Sequence, residues 1–195
     1  MILITHRINT LKELKKIPPK YGVEIDVREY RGRLILQHEP FVAGEKLEVF
    51  LKKFNHKFII FNVKSERIEF KILHYVKKYK LKKYFFLDSS FPMIKNLINL
   101  KEKNIACRVS DEEDIKTALN LKQKVIWIWF ETQFPFKKSY PILKKLKKNN
   151  FKICIVSPDL HKKKIKFNKN ENLFLKKNNL IDAVCVKFKN LKNWI

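Results

Sequence analysis

Acidic residues, cysteine and long hydrophobic runs are all scarce in this sequence. Its 195 residues include 19 Asp and Glu against 44 Lys and Arg, with three Cys. The N-terminal apolar run Ile2 to Thr5 is far too short for the hydrophobic part of a signal peptide, and no apolar run reaches the ~18 residues of a membrane span. No linker, internal repeat or low-complexity tail divides the chain. We therefore expect one cytoplasmic domain over residues 1 to 195, with peripheral contact through charge as the only expected association with the inner membrane surface.

The three cysteines have no spacing that would suit a metal site. Cys107, Cys154 and Cys185 each lie within a short apolar run that is typical of a strand. We expect them to be reduced core residues rather than zinc ligands or redox groups.

The net charge of +25 should attract anions such as phosphates, nucleic acid, acidic glycans or an anionic membrane. Lysines recur in every segment, which favours solvated outer helices over one dedicated polyanion surface. The one dense basic run, Lys162 to Lys166, is expected to be a surface loop. A nucleic-acid-binding protein would combine basic clusters with exposed aromatic residues, whereas most of the 16 Phe lie in runs typical of a core. Nucleic acid is therefore not the expected partner.

Short apolar runs alternate with stretches of helical period, which indicates repeated βα units and a parallel sheet. The predicted strands are Ile2 to Thr5, Val23 to Arg28, Phe58 to Val63, Tyr84 to Leu87, Ile105 to Val109, Val125 to Trp129, Lys152 to Ser157 and Ala183 to Lys187. The predicted helices are Asn9 to Ile17, Lys46 to Phe54, Glu66 to Lys78, Pro92 to Glu102, Glu112 to Leu119, Ser139 to Asn149 and about Asn168 to Asn178. Eight such units predict an α/β fold, a compact (β/α)8 TIM barrel, in a chain shorter than the ~250 residues usual for it.

Polar residues follow nearly every predicted strand, at the end where barrels of this kind carry their active sites. They are His6 and Arg7, Asp26 and Arg28, Asn62 and Lys64, Asp88 and Ser90, Arg108 and Ser110, Trp129 and Glu131, Ser157 and Asp159, and Lys187. Each alone could be an ordinary polar residue at a strand end. Together they predict a polar site at the mouth of the barrel, where we expect one of Trp127 and Trp129 to face the interior.

Two carboxylates stand out within the second predicted strand. Glu24 and Asp26 are two residues apart, so they should point to the same face. Carboxylates inside an apolar barrel are costly to bury without a cation. The alternative is a solvated strand face, with Arg28 or Arg33 as salt-bridge partners.

A hairpin should follow this strand. Arg31 and Gly32 have the composition of a tight turn, and the run Leu34 to Leu36 would carry the chain back. His38 would then reach the mouth of the same site.

These residues resemble the glycerophosphodiester phosphodiesterase and phosphatidylinositol phospholipase C superfamily. The matching motifs are His6-Arg7, Asn9-Thr10, Glu24 with Asp26, Gly32, and His38-Glu39. Phe61 to Lys64 is similar to the third-strand motif of the superfamily, except that Asn62 stands in place of a metal-binding acid. No glycine follows His6-Arg7, and the long insertion after the second histidine is nearly absent between Glu39 and Leu47.

More closely, the chain resembles a branch of short barrels often found among genes for surface-sugar synthesis. That resemblance covers most of the chain, including LDSSFP, RVSDEED, WIWFE and CIVSPDL. The short loop after His38 predicts an open mouth, which would suit a bulky or membrane-presented substrate at least as well as a small one.

The resemblance implies a metal-dependent phosphodiester hydrolase. Its implied roles are acid and base for His6 and His38, phosphate binding for Arg7 and Lys64, and ligation of one Mg²⁺ or Ca²⁺ by Glu24, Asp26 and Asn62, with Asp88, Arg108, Glu131 and Lys187 as further lining. Asp88 or Glu131 could supply the charge that Asn62 lacks. The expected substrate is a small glycerophosphodiester, a lipid head group or a glycan-linked phosphate.

Asn62 also leaves an alternative open. The barrel could be catalytically impaired and bind a phosphorylated ligand or partner without cleaving it. Retention of both histidines and both carboxylates argues for the enzyme.

Overall fold

A computed structural model describes residues 1–131, 139–161 and 169–195. The basic run 162 to 166 lies outside these residues. The strands are β1 Ile2–Thr5, β2 Gly22–Tyr30, β3 Arg33–Leu36, β4 Glu45–Lys46, β5 Phe58–Val63, β6 Tyr84–Leu87, β7 Ala106–Ser110, β8 Trp127–Glu131, β9 Lys152–Val156 and β10 Ala183–Val186. The α-helices are α1 Leu11–Leu14, α2 Leu47–Lys53, α3 Glu69–Lys78, α4 Phe91–Asn99, α5 Lys116–Asn120, α6 Tyr140–Lys148 and α7 Lys169–Lys177, with 3-10 helices at Pro158–Leu160 and Phe188–Trp194.

Eight strands run parallel, and they correspond to the eight that the sequence predicts. The chain of pairings is β6, β5, β2, β1, β10, β9, β8 and β7. Between β6 and β7 the contact is reduced to one bridge, Phe86 with Ile105, and a 2.9 Å hydrogen bond from the Phe86 N–H to the Asn104 carbonyl. Helices separate successive strands, which is the arrangement of a (β/α)8 barrel.

The alternation of side chains along the strands divides the apolar residues into two clusters. The outer cluster packs the sheet against the helices, and the inner one fills the barrel. Both Trp127 and Trp129 belong to the inner cluster. The expectation that only one of them faces the interior is wrong, because residues two apart on a strand share a face.

All three cysteines are buried and free, as the sequence predicts. Cys154 and Cys185 lie inside the barrel, and Cys107 packs in the outer cluster. Burial raises the pKa of the Cys107 thiol to about 11, so this group stays protonated at neutral pH. Core packing is therefore sufficient to explain the cysteines.

Helix α1 is much shorter than the predicted Asn9 to Ile17 and begins two residues later, at Leu11. Thr10, not Asn9, caps it in a capping box with Glu13, and the helix ends at Leu14 rather than Ile17. The amide of Asn9 cannot serve as the cap because it exchanges two hydrogen bonds with Asp26. A tertiary contact thus overrides the local signal.

The start of α5 and the bounds of β8 also differ from the prediction. Helix α5 begins at Lys116 and not near Glu112, because the Ser110 hydroxyl accepts the backbone N–H groups of Glu112 and Glu113 and holds that segment in a turn. Strand β8 starts two residues after the predicted Val125, which makes a separate bridge with Lys122.

The predicted hairpin is present. Arg31 and Gly32 both have positive φ, 48° and 76°, as a two-residue turn of this kind requires. Beyond it, β3 pairs antiparallel with β2, and the Gln37 N–H donates to the Asp26 carbonyl at 3.0 Å. The hairpin therefore returns the chain to the level of Asp26 just before His38.

Among the described residues, none of the helices combines the length and the apolar character needed to span a membrane.

Candidate active site

Glu24 and Asp26 point into the mouth of the barrel, and both are fully buried. The alternative of a solvated strand face is therefore wrong. Arg28, one of its suggested partners, instead donates to the backbone carbonyls of His38 and Lys64. It ties the loop that carries His38 to the end of β5.

Glu24 is held by two hydrogen bonds. Its Oε2 accepts the backbone N–H of Arg7 at 2.7 Å, and its Oε1 accepts the Asn62 amide at 2.8 Å. Arg7 has a φ of 55°, a left-handed conformation that aims its N–H inward. Burial first, and then the neighbouring Asp26, raise the pKa of Glu24 to about 7, although these two hydrogen bonds oppose the shift. A positive charge near Glu24 would lower this pKa again.

Two buried oxygens beside Glu24 have no hydrogen-bond partner. One is Oδ1 of Asp26, whose Oδ2 accepts the Asn9 amide at 2.9 Å, and the other is Oδ1 of Asn62. Asp26 and Asn62 are paired across β2 and β5, so their side chains are neighbours. Lys64 Nζ lies 3.9 Å from Asp26 Oδ1, beyond hydrogen-bonding distance. Buried oxygens without donors are costly, and carboxylate and amide oxygens are the ligands that Mg²⁺ and Ca²⁺ prefer.

The side-chain oxygens of Glu24, Asp26 and Asn62 fit the ligands of a divalent cation. The described part of the chain contains no group of three or more His, Cys, Asp or Glu arranged as a metal site. The third donor here is an amide, which carries no charge, so this set should bind a cation less tightly than three carboxylates would.

His6 directly follows β1 and lies near Glu24. Its Nε2 is 3.8 Å from Glu24 Oε2. Burial, followed by the positive charges of Arg7 and Lys187, lowers the pKa of His6 to about 4. The imidazole is therefore neutral at pH 7 and can accept a proton.

His38 is oriented from both sides of its ring. Its Nδ1 lies 2.5 Å from Glu39 Oε1, and its Nε2 lies 2.6 Å from Arg7 Nη2. An arginine can only donate, so Nε2 is the acceptor and Nδ1–H donates to Glu39. The hydrogen bond from His38 is the main cause that holds the pKa of Glu39 below its ordinary value. A carboxylate that fixes the tautomer and directs the other ring nitrogen at the site is a common arrangement for a general base.

Lys64 also belongs to a network of ion pairs, here called the ion network, with Asp88, Arg108 and Glu131. Lys64 Nζ donates to Asp88 at 3.0 Å, and Asp88 also pairs with Arg108. Arg108 in turn pairs with Glu131, which accepts the Trp129 indole N–H at 2.9 Å. Asp88 and Glu131 are thus already paired with cations and are poorly placed to supply the charge that Asn62 lacks.

Lys187 lies at the rim, exposed, and its backbone N–H donates to Asp159 Oδ2 at 3.1 Å. The other Asp159 oxygen is buried without a hydrogen-bond partner. The negative charge of Asp159 also acts on His6, where it partly offsets the lowering of the His6 pKa by burial and by Arg7 and Lys187. Sequence reasoning noted Asp159 only as a polar residue at a strand end and did not include it in the site.

Two solved structures share this architecture. One is a glycerophosphoryl diester phosphodiesterase from Parabacteroides distasonis, with a TM-score of 0.64, 10% identity, and coverage of 94% of this chain and 81% of that one. The other is a glycerophosphodiester phosphodiesterase from Agrobacterium tumefaciens, with a TM-score of 0.69, 13% identity, and coverage of 99% and 97%. This chain has the phosphodiesterase fold. No family model matches the sequence, and no curated protein matches it.

The comparison confirms the predicted (β/α)8 barrel and, at the level of the fold, the predicted resemblance. In this phosphodiesterase fold the mouth residues form one connected set of contacts, which comprises His6, Arg7, Asn9, Glu24, Asp26, His38, Glu39, Asn62 and Lys64. In the sequence, Asn9 and Glu39 are parts of the matching motifs without an assigned role. The structure gives them contacts, since one holds Asp26 and the other orients His38.

A cavity of about 710 Å³ opens beside this set, next to the weak β6–β7 contact of the phosphodiesterase fold. Its lining includes Asp88 and Arg108 of the ion network, together with Phe91, Glu113 and Thr117.

Proposed function

We propose that the protein is a metal-dependent phosphodiesterase in which His6 and His38 share the acid and base roles. The observation that carries this proposal is the bridging position of Arg7. Its backbone N–H binds Glu24 and its guanidinium binds the Nε2 of His38, so one residue joins the buried carboxylates to the oriented imidazole. The fold shared with two solved phosphodiesterases supports this proposal, and the activity and the residue roles are our inference.

A phosphodiester resists attack because its negative charge repels nucleophiles, so a site must neutralise the phosphate and move two protons. Arg7 and Lys64 are the cations that would bind its non-bridging oxygens. A divalent cation held by Glu24, Asp26 and Asn62 would add positive charge there.

Proton transfer requires that the Nε2 of His38 be free. In this structure it accepts a hydrogen bond from Arg7. A phosphate that attracts the Arg7 guanidinium would release this nitrogen for the attacking or leaving oxygen. His6, neutral at pH 7, would accept the proton of the attacking oxygen. His38, once released by Arg7, would take up a proton from solvent on Nε2, pair with Glu39 as an imidazolium and donate that proton to the leaving oxygen.

The substrate class that we propose is a phosphodiester with at least one sizeable substituent, such as a glycerophosphodiester, a lipid head group or a glycan-linked phosphate. The 710 Å³ cavity beside Asp88 and Arg108 supports a bulky substituent. Roles in lipid metabolism or surface-polysaccharide synthesis, and a cytoplasmic location, remain parts of this proposal that come from the sequence.

A second candidate is a barrel that binds a phosphorylated ligand without cleaving it. Asn62 favours it, because its amide already donates to Glu24 and the neighbouring Asp88 is paired with Lys64. The oriented His38 has no evident purpose in such a binding protein, so we prefer the enzyme.

The direct test is turnover of bis(p-nitrophenyl) phosphate and a panel of glycerophosphodiesters and lysophospholipids with Mg²⁺, with Ca²⁺ or with chelator. We expect product release with a divalent cation and its loss with chelator. No turnover with any substrate, together with no cation binding by calorimetry, would favour the second candidate.

Replacing Asn62 by aspartate tests the cation site. Asn62→Asp adds a third negative charge beside Glu24 and Asp26, and we expect it to tighten Mg²⁺ or Ca²⁺ binding by about tenfold in calorimetry. Asn96→Asp, which adds the same charge on the exposed face of α4, should leave the affinity unchanged. Equal affinities for wild type and Asn62→Asp would mean that residue 62 is not a ligand.

A further inference from the structure

The end of the barrel opposite the mouth is strongly basic. Because the eight barrel strands are parallel, every loop that joins a helix to the next strand lies at this N-terminal end. Five of these loops contain at least one lysine each, and all of their lysines are exposed. They are the loops 15–21, 54–57, 79–83, 100–105 and 121–126, which we call the basic end.

Acidic residues are almost absent from the basic end, all of which the structure describes. Glu102 is the exception within its five loops, and its carboxylate already accepts the Tyr84 hydroxyl and the Asn104 N–H, both at 2.6 Å. At the mouth, by contrast, the exposed run 111–114 consists entirely of Asp and Glu. The positive charge of the chain is therefore unevenly distributed between the two ends of the barrel.

This distribution gives the recurrence of lysine along the chain another meaning. In the sequence, that recurrence favours solvated outer helices over a dedicated surface, because no single basic arm stands out. In the fold, successive βα units each bring a loop to the same end of the barrel. Lysines that are scattered along the sequence thus become one surface.

Helix dipoles explain only part of this surface. A lysine in the last turn of a helix stabilises the negative C-terminal end, and the effect falls off within that turn. Lys77 and Lys78 of α3 are placed in this way. Lys80, Lys82 and Lys83 lie beyond α3, and none of them forms an ion pair among the described residues. Neighbouring like charges repel, so these lysines favour an anion from outside the chain.

A concave pocket of about 370 Å³ opens within the basic end, between the loops 54–57 and 79–83. No carboxylate lines it. The polar side chains of its lining are Asn55, His56, Lys57, Lys80, Lys82 and Lys83. Cations and neutral hydrogen-bonding groups around one concavity suit a phosphate.

We propose that the basic end binds the phosphate backbone of duplex nucleic acid without reading its sequence. Lysines alone supply such binding, because each phosphate that they neutralise releases a counterion. A single strand would instead require exposed aromatic rings on which its bases stack. Tyr21, Phe54 and Tyr79 in these loops are partly buried, and Lys20 and Lys78 lie 5.2 and 5.7 Å from the ring centroids of the two tyrosines.

An anionic bilayer would also attract these lysines, but it fits the surface less well. Firm binding to a bilayer requires apolar side chains beside the charges. At this end Met1 and Leu100 are exposed, directly before β1 and shortly before β7. These two strands lie on opposite sides of the barrel, so Met1 and Leu100 form no common patch.

The test is fluorescence anisotropy of the full chain with a labelled DNA duplex of about 20 base pairs, at several salt concentrations. One variant combines four substitutions in the basic end, Lys57→Gln, Lys80→Gln, Lys82→Gln and Lys83→Gln. The control removes the same charge from exposed lysines elsewhere, by Lys71→Gln, Lys95→Gln, Lys116→Gln and Lys189→Gln.

We expect wild type and the control to bind with a Kd of about 10⁻⁶ M at physiological salt, and the basic-end variant to bind about tenfold or more weakly. The slope of log Kd against log salt concentration should fall by about 2 to 4 in the basic-end variant, since each phosphate contact contributes about 0.9, and by less than about 1 in the control. Two duplexes of unrelated sequence should bind equally.

Lysine acetylation of wild type, read by mass spectrometry, gives a measurement that needs no variant. The duplex should protect Lys57, Lys80, Lys82 and Lys83 from acetylation and leave Lys71 and Lys95 reactive.

Wild type that fails to bind the duplex at about 0.1 M salt would overturn the proposal. Equal weakening of both variants would overturn it as well, because net charge alone would then explain the binding. Tighter binding to a single strand of the same length, or binding to phosphatidylglycerol vesicles and not to the duplex, would do the same. Binding requires no turnover and lies at the end opposite His38, so a protein that binds the duplex without hydrolysing any phosphodiester would keep this inference and lose the proposed function.

Discussion

Replacing His38 by alanine should lower kcat for phosphodiester hydrolysis by about 10²- to 10⁴-fold, the usual contribution of one general acid or base. The expectation rests on the two contacts of the ring, from Nδ1 to Glu39 and from Nε2 to Arg7, which orient the Nε2 lone pair toward the Arg7 guanidinium, the group proposed to bind the phosphate. The measurement is steady-state turnover of bis(p-nitrophenyl) phosphate with saturating divalent cation. KM should change far less than kcat, because Arg7 and Lys64 would still bind the phosphate.

His74→Ala is the matched control for that loss. His74 lies on the exposed face of α3, outside the mouth contacts, so its removal should leave turnover unchanged. Glu39→Gln should have an intermediate effect, since an amide oxygen can still accept from Nδ1–H but no longer stabilises an imidazolium. A loss of less than about tenfold in His38→Ala would remove His38 from proton transfer.

Much of the framework could be predicted because barrel strands are short apolar runs bounded by polar residues. All eight parallel strands were located, and the period of two placed Glu24 and Asp26 on one face. The hairpin followed from Arg31 and Gly32, whose turn requires positive φ at both positions. These features depend on local chemistry, which a single sequence contains.

What could not be predicted depends on contacts between distant segments. The shortness of α1 follows from the exchange of hydrogen bonds between Asn9 and Asp26, which are 17 residues apart. The pairing of Asp88 with Lys64 and Arg108 requires the order of neighbouring strands and the actual side-chain directions. The hydrogen bond from the Asn62 amide to Glu24 could not be predicted either, because the sequence indicates only that an amide replaces an acid.

The buried carboxylate pair should make the metal-free protein less stable than a variant that lacks one charge. The folded-state pKa of Glu24 is raised from 4.5 to about 7, first by burial and then by Asp26. A raised folded pKa means that the stabilising contribution is present below pH 4.5 and is lost as the pH rises through 7. Glu24→Gln does not titrate, so with chelator at pH 8 we expect it to unfold with a free energy about 2 to 3 kcal/mol higher than wild type, a difference that disappears near pH 4.5.

The local hydrogen bonds permit this substitution. The glutamine Oε1 can accept the Arg7 N–H, and its amide can donate to Asn62 Oδ1, which lacks a partner in wild type, once the Asn62 side chain flips. His6 titrates with the opposite sign, because its lowered pKa removes stability as the pH falls from 6.5 toward 4. His6 is present in wild type and in Glu24→Gln, so the difference between their unfolding free energies reports on Glu24.

Urea unfolding at pH 4.5 and pH 8 measures the effect, with Glu112→Gln as a control that removes an exposed carboxylate. Saturating Mg²⁺ or Ca²⁺ should then stabilise wild type more than Glu24→Gln, since the variant keeps only one charged ligand, Asp26. A difference in unfolding free energy that does not vary with pH would mean that folding does not change the pKa of Glu24. If this carboxylate serves the reaction rather than the fold, Glu24→Gln should be more stable than wild type without metal and less active than wild type with metal.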